Sequence, residues 1–403
     1  TTLFRSKEYP NNLIIIGPDI WRETEENPEF EEEKNLFAEW RQKAAADGLN
    51  VRTGRWKTPG KPIVFLIDFT TCISEKDAIF KNFWDKYKLD SLAGGWDYIE
   101  PALFGYAAGR LIEHFCKYNI ANTDRVVAHF HEWLTGTGIL YLHENAPQVA
   151  TMFTSHATVV GRALAGNNFP LYDEIDKINS NTKAKEYNIT SKHSLEKLAA
   201  KYADCFTTVS NITARECKQM LEKEVNLVTP NGFHNDFVPQ GEIFDTKRKI
   251  ARTKLMETAK ALLSKDIPED VVLIGTSGRY EFSNKGFDVF IDALGYLNTQ
   301  AYPGKQVIAC IFVPAGNYGP RKDLVEKLRE EELENELNNR YQTHNLHNPE
   351  SDPIINQIHK NNLHNQPEDK VNVIFVPSYL NGQDGIFNVP YYDILAGLDL
   401  TVF

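Results

Sequence analysis

Short, continuously apolar runs alternate with amphipathic segments along the chain, and this alternation constrains the fold more than any other feature. In the first half, the apolar runs predict buried strands at residues 13–17, 63–69, 126–130, 149–154 and 206–210. Helix-like segments such as 31–46 and 102–118 lie between them. Strands that are apolar at every position are typical of a parallel sheet with helices on both faces. We therefore predict an α/β fold.

The second half of the chain repeats this pattern after a polar, helical segment at 237–270. It predicts strands at 271–275, 307–313 and 371–376, and a helix at 285–297 whose apolar residues recur three and four positions apart. A length of 403 residues exceeds what one hydrophobic core comfortably takes. We predict two parallel-sheet domains, residues 1–240 and 241–403, with a cleft between them.

A charged, Asn-rich segment at about 318–370 interrupts the second domain. We predict a surface insertion with a solvated helix at 324–337, and an oligomer contact is the alternative.

Composition limits the possible partners of the protein. The formal net charge of −11 argues against a general nucleic-acid binder or a binder of anionic membranes. No run approaches the roughly 20 apolar residues that a membrane helix needs. The five cysteines show no metal-ligand spacing and fit a reducing compartment. We predict a cytoplasmic protein that contacts neither nucleic acid nor membrane.

The sequence GTSGRYEFSNKG at 275–286 follows a predicted strand and opens a predicted helix. Helix N-termini and glycine-containing loops favour phosphate, and strand ends in α/β sheets are where ligands bind. Arg279 offers a bidentate fork and Lys285 a compact charge, which together suit a diphosphate. The alternative is that both are surface cations and that the glycines only turn the chain.

The sequence HFHEW at 129–133 also follows a strand. We expect its two histidines to point to opposite sides of the run, which argues against a shared metal ion. A sugar site suits it better, because Glu132 accepts hydrogen bonds from hydroxyls and Trp133 offers an apolar face. A core histidine beside a partly buried tryptophan is the structural alternative.

Two further motifs carry candidate residues. SHATVVGR at 155–162 places His156 at a strand end and Arg162 six residues later, and PNG at 230–232 contains Asn231 in a predicted turn. A structural role for a single strand-end histidine is the alternative. G-x-S-x-G, Walker, H-E-x-x-H and G-x-G-x-x-G patterns are absent from the sequence.

These motifs, in this order, resemble the glycogen synthases of the animal, fungal and some bacterial kind. The matching stretches run through the whole chain: GPDIW, AHFHEW, TSHATVVGR, ADCFTTVSNITA with PNG, GRYEFSNKG, THN and PYYDILAGLDLTVF. The resemblance implies a GT-B fold, in which two Rossmann-like domains face each other across a cleft. It also implies retaining transfer of glucose from a nucleotide-diphosphoglucose to an α-1,4-glucan, without metal or cofactor, in a cytoplasmic homo-oligomer. UDP-glucose is the favoured donor, and ADP-glucose stays open.

The resemblance also assigns roles to the candidate residues. Arg279, Lys285 and His156 are implied to be catalytic: the two cations hold the donor diphosphate and His156 contacts the transferred glucose. Arg162, Asn231 and Tyr391 are implied to bind the donor, with the tyrosine stacking on the base. Glu132 and His131 are implied to line the acceptor side.

The chain departs from the family pattern at both ends. A K-V-G-G segment before the first strand and an E-P-W-G-Y-T-P-x-E segment after the last strand do not occur in residues 1–403, and both ends are expected to be cut. The alternatives are a non-catalytic glucan-binding scaffold derived from a synthase, another retaining GT-B transferase, or a phosphorylase.

Overall fold

The computed structural model describes residues 8–9, 12–20, 29–121, 123–233, 235, 238–300, 304–330 and 336–402. The chain divides into two units, Thr1–Gly232 and Phe233–Phe403. The sequence prediction had placed the boundary between the domains after residue 240. Both units contain parallel sheets with helices, which confirms the predicted α/β class. None of the helices in the described ranges is long and apolar enough to cross a bilayer.

The first sheet of the first unit is mixed, with strand order β1-β4-β3-β2. Its strands are β1 (Ile14–Pro18), β2 (Phe30–Glu32), β3 (Val51–Trp56) and β4 (Ile63–Ile67). Strand β1 pairs with β4 in parallel, whereas β3 is antiparallel to both β2 and β4. The apolar-run criterion overlooked β3 because Arg52 and Arg55 interrupt it.

The helix predicted at 31–46 is wrong over its first residues, because Phe30–Glu32 forms a strand and the helix begins only at Ala38. Gly54 allows this strand pairing: a β-carbon there would lie 2.1 Å from the Glu31 carbonyl oxygen. The antiparallel pairing of β2 and β3 thus depends on a close backbone approach that an apolar pattern does not reveal.

The second sheet of the first unit is wholly parallel, in the order β5-β6-β7-β8. Its strands are β5 (Val127–His131), β6 (Ala150–Ser155), β7 (Cys205–Thr208) and β8 (Leu227–Val228). Phe153 and Phe206 stack at its centre with ring centroids 5.6 Å apart. The helices of this unit are α1 (Ala38–Ala46), α2 (Lys76–Tyr87), α3 (Trp96–Asn119), α4 (Gly136–Asn145), α5 (Val159–Gly166), α6 (Leu171–Glu174), α7 (Ser180–Glu186), α8 (Thr190–Tyr202) and α9 (Asn211–Leu221).

The second unit is built on a parallel sheet with the order β13-β10-β9-β14. The strands of this unit are β9 (Val272–Ser277), β10 (Val307–Phe312), β11 (Asn317–Pro320), β12 (His344–Leu346), β13 (Val371–Val376) and β14 (Leu400–Val402). Its helices are α10 (Gly241–Leu263), α11 (Phe287–Thr299), α12 (Lys322–Glu330), α13 (Pro353–Lys360) and α14 (Tyr391–Ala396). Phe403, which follows β14, lies outside the described residues.

The segment 318–370 is not a solvated surface insertion, and that prediction was wrong. Leu324 of α12 and Ile354 and Ile358 of α13 are fully buried, and His344 of β12 is buried as well. Lys322, Glu326, Arg329 and Glu330 of α12 are exposed, whereas Lys327 is buried, and the apolar faces of the two helices complete the core of the unit. The predicted helix at 324–337 is observed as Lys322–Glu330, and residues 331–335 lie outside the described part of the chain.

Ile358→Ala tests this correction. We expect a loss of about 2–5 kcal/mol in the free energy of unfolding, because the substitution leaves a cavity in a packed core. The matched control is Ile243→Ala, whose side chain is 64% exposed, and its effect should stay within about 0.5 kcal/mol. Tryptophan fluorescence would report only on the first unit, because all six tryptophans lie before residue 233. Chemical denaturation is therefore followed by far-UV circular dichroism. Equally small effects for both variants would restore the surface-insertion interpretation.

Candidate functional site

The carboxyl ends of β5 and β6 bring two sequence motifs together in the first unit. The two strands are parallel neighbours in which His131 lies opposite Thr154. The residues that follow each strand, Glu132 and His156, therefore emerge side by side at one edge of the sheet. Ligands bind at this edge in open α/β sheets.

Glu132 links the two strand ends directly. Its backbone nitrogen donates to the Thr154 carbonyl at 2.9 Å, and its Oε1 accepts from the His156 backbone nitrogen at 3.0 Å. Burial raises the pKa of the Glu132 carboxyl, and the His156 backbone hydrogen bond and the charges of His156 and Arg162 act in the opposite direction. The backbone of Glu132 has φ 62° and ψ 164°, a region that residues other than glycine rarely adopt.

Three histidine rings line up beside Glu132. The His131 Nδ1 and His156 Nε2 atoms are 3.3 Å apart, and the ring centroids of His129 and His131 are 4.1 Å apart. The expectation that His129 and His131 point to opposite sides was wrong, because residues two apart on a strand share a face. In the described part of the chain, no group of three or more His, Cys, Asp or Glu side chains is placed to hold a metal ion.

Arg162 and Asn231 are both exposed in the first unit. Arg162 lies on α5, whose N-terminus is capped by the Thr158 hydroxyl accepting from the Gly161 nitrogen at 3.0 Å. Its charge acts on the Glu132 carboxyl. Asn231 follows β8 near the end of the unit.

Trp133 serves packing in this structure. Its ring stacks on Tyr98 with centroids 6.0 Å apart, and the Lys192 ammonium lies 5.5 Å from the ring centroid. These contacts favour the structural alternative for Trp133 over an apolar platform for sugar.

Two buried glutamates that the sequence motifs did not single out surround the loop after β6. Glu196 on α8 is fully buried, and it accepts from the Val159 nitrogen at 2.9 Å and from the Ser155 hydroxyl at 3.2 Å. Glu216 on α9 accepts from the Thr158 hydroxyl at 2.9 Å. The sequence could have indicated both glutamates, because each is a charged residue within the apolar stripe of an amphipathic helix. Burying an unpaired carboxylate at such a position is energetically costly.

The second candidate site lies at the carboxyl end of β9, in the second unit. Arg279 follows this strand with its side chain 71% exposed and forms an ion pair with Glu281 at 3.2 Å. Lys285 is exposed, and its Cγ and Cδ would lie 3.6 Å from a β-carbon at Gly278. Helix α11 begins after Gly286, which adopts φ 65°. The two cations therefore flank one strand-to-helix connection.

Tyr391 belongs to the same strand end as Arg279. Its hydroxyl lies 2.7 Å from the hydroxyl of Ser277, the last residue of β9. The Tyr391 ring is half-buried and lies 5.2 Å from the Tyr392 ring, which is 59% exposed. Sequence reasoning missed Ser277, because a single serine at the end of a strand forms no pattern of its own.

Each unit thus assembles its own group of candidate residues. His131, Glu132, His156 and Arg162 interact in the first unit. In the second unit, Arg279, Lys285 and Tyr391 surround the end of β9.

Comparison with known proteins gives a consistent result. A family model described as glycogen synthase matches residues 2–342 and 332–403. The glycogen [starch] synthase of Neurospora crassa is 26% identical over 98% of this chain and 64% of its own length. The Caenorhabditis elegans enzyme is 27% identical over 100% of this chain and 69% of its own. The liver enzyme of Rattus norvegicus is 26% identical over 99% and 64%.

The chain spans about two thirds of the length of these relatives. Among solved structures, an α,α-trehalose-phosphate synthase (UDP-forming) from Burkholderia vietnamiensis is 11% identical. The alignment covers 91% of this chain and 73% of that structure, with a TM-score of 0.43.

The buried carboxyl of Glu196 predicts a pH-dependent stability. Burial raises its pKa from the ordinary value of 4.5 to about 8, so the folded protein keeps a proton that the unfolded chain releases between these values. Its contribution to stability is therefore present below pH 4.5 and lost as the pH rises to about 8. We expect the free energy of unfolding of the wild type, relative to Glu196→Gln, to fall across this range in urea titrations. A difference that does not vary with pH would contradict it.

Proposed function

The chain belongs to the glycogen synthase family, and on this basis we propose that the protein transfers glucose from a nucleotide-diphosphoglucose to the non-reducing end of an α-1,4-glucan. UDP-glucose is the favoured donor, ADP-glucose is the other, and the anomeric configuration is retained. The observation that carries the proposal is the cation pair at the end of β9, Arg279 and Lys285, in a member of this family. A protein that only binds glucan has no need of diphosphate-binding cations.

In the proposed donor site, Arg279 and Lys285 hold the diphosphate and stabilise the negative charge that develops as the nucleotide leaves. Such preorganised charge acts on the transition state more than on the ground state. The exposure of both side chains supports this role, and Arg279 exchanges its pairing with Glu281 for the phosphate oxygens. Tyr391 stacks on the base while its hydroxyl stays bound to Ser277, and Arg162 and Asn231 complete the donor contacts.

On the proposed acceptor side, His156 contacts the transferred glucose near the reacting carbon, and Glu132 and His131 line the glucan path. The half-buried Glu132 carboxylate retains acceptor capacity for sugar hydroxyls after its hydrogen bond with the His156 nitrogen. No enzyme nucleophile, metal or cofactor enters this mechanism.

The proposal extends to the assembly of the protein. The acceptor side is assigned to residues 1–240 and the nucleotide-sugar side to residues 241–403. The protein is a cytoplasmic homo-oligomer.

The activity is tested with radiolabelled UDP-glucose or ADP-glucose, glycogen as acceptor and EDTA, using the full-length protein. Incorporation of label into glycogen supports the reaction and its independence of metal, and the better donor identifies the nucleotide. Glycogen binding without incorporation from either donor would favour a non-catalytic scaffold instead.

Arg279→Ala is expected to lower turnover by at least about 10²-fold, as the loss of one preorganised charge contact does. Arg329→Ala is the control, since Arg329 is an exposed arginine on α12 of the same unit. Steady-state assays at saturating donor measure both variants. Near-normal turnover of Arg279→Ala would remove this residue from the donor site.

Glu132→Ala is expected to weaken glucan binding more than donor binding, because it removes the carboxylate that accepts from sugar hydroxyls. Glu132→Gln is the matched control, since its amide oxygen still accepts from the His156 nitrogen. Calorimetric titration with maltooligosaccharide and with the nucleotide sugar separates the two effects. Equal losses for both ligands in Glu132→Ala would move this residue off the acceptor side.

A further inference from the structure

We propose that Glu196 is a positioning residue that holds the loop between β6 and α5 in the shape that presents His156 to the sugar. The inference deepens the proposed function and rests on it. Its side chain hydrogen-bonds to Ser155 and Val159, and through them it acts on the segment that carries His156.

Glu196 forms hydrogen bonds with both ends of the loop. One carboxyl oxygen accepts from the hydroxyl of Ser155, the residue before His156, at 3.2 Å. The other accepts from the backbone nitrogen of Val159, the first residue of α5, at 2.9 Å. A single side chain thus fixes the distance between the end of the strand and the start of the helix.

Two other carboxylates hold the same loop between these points. Glu132 accepts from the His156 nitrogen at 3.0 Å, and Glu216 accepts from the Thr158 hydroxyl at 2.9 Å. Glu216 also accepts from the Tyr172 hydroxyl at 2.7 Å. The three glutamates come from three different elements, so the loop is held from three directions.

Placing Glu196 in the interior is energetically unfavourable. Its side chain is fully buried, and the carboxylates of Glu132 and Glu216 both act on it electrostatically. An apolar residue at this point of α8 would pack without cost from desolvation or repulsion. A carboxyl group in such a place is best explained by the two hydrogen bonds it supplies to the loop.

The consequence for the reaction is geometric. A misplacement of about 1 Å at a group that contacts the reacting sugar is enough to cost about 10²-fold in rate. Glu196 holds the residues on either side of the His156 turn, so its loss should release His156 and lower kcat with little change in the KM for glycogen.

Glu196→Leu, Glu196→Gln and Leu195→Ala in the full-length protein test the proposal. Leucine keeps most of the volume and removes both acceptors, whereas glutamine accepts from the Val159 nitrogen and donates to the Ser155 hydroxyl. Leu195→Ala is the control for stability, because this fully buried side chain on α8 belongs to the hydrophobic core that contains Leu103 and Leu140. Glucose transfer and hydrogen exchange of the peptide covering 155–161 are measured for each.

We expect Glu196→Leu to lower kcat by at least about tenfold through misplacement of His156 and to accelerate exchange in the loop. Glu196→Gln should restore both to near wild type, and Leu195→Ala should lower the melting temperature without changing exchange in the loop. Equal losses of kcat in Glu196→Leu and Leu195→Ala, or full activity of Glu196→Leu, would overturn the positioning role alone. A wild-type protein that transfers no glucose would instead overturn the proposed function, and the role with it.

Discussion

The hydrogen bond between the His156 nitrogen and the Glu132 carboxylate joins the ends of two neighbouring parallel strands, and the first unit's candidate site depends on it. The parallel register of β5 and β6 makes the contact possible, because it sets His131 opposite Thr154. The two strands therefore end side by side at the same edge of the sheet. The histidine cluster and the capped start of α5 follow from this one junction. A polar site is thereby built at the carboxyl end of the parallel sheet, with its supporting contacts drawn from α8 and α9.

The second unit also places its candidate residues at the carboxyl end of a parallel strand, but their chemistry differs. Its strand end carries exposed cations, and the loop around them is shaped by glycines and by the hydroxyl pair of Ser277 and Tyr391. Exposed arginine and lysine side chains stay hydrated and carry little desolvation cost. Both form favourable charge-assisted hydrogen bonds with phosphate. The first unit keeps buried carboxyl groups hydrogen-bonded within the protein, whereas the arginine and lysine of the second unit are exposed.

Much of the fold was predictable because parallel strands are apolar at every position. The apolar runs predicted as strands at 126–130 and 149–154 are observed as β5, Val127–His131, and β6, Ala150–Ser155, and the class of the fold followed from such runs. Strand β3 was missed because its arginines break the run, and Gly54 explains its pairing only once the neighbouring strand is known. Residues 318–370 looked solvated because their charges are frequent, and their buried isoleucines appear only when helical faces are separated. The supporting role of Glu196 needed the structure, since its partners lie about 40 positions away in sequence.

The backbone conformation of Glu132 has an evolutionary consequence. At φ 62° and ψ 164°, glycine is the residue that the local geometry prefers, so replacing Glu132 by glycine would relieve backbone strain but remove the hydrogen bond to the His156 nitrogen. The glutamate marks a place where the fold accepts a less favourable backbone in order to keep a carboxylate between two strand ends.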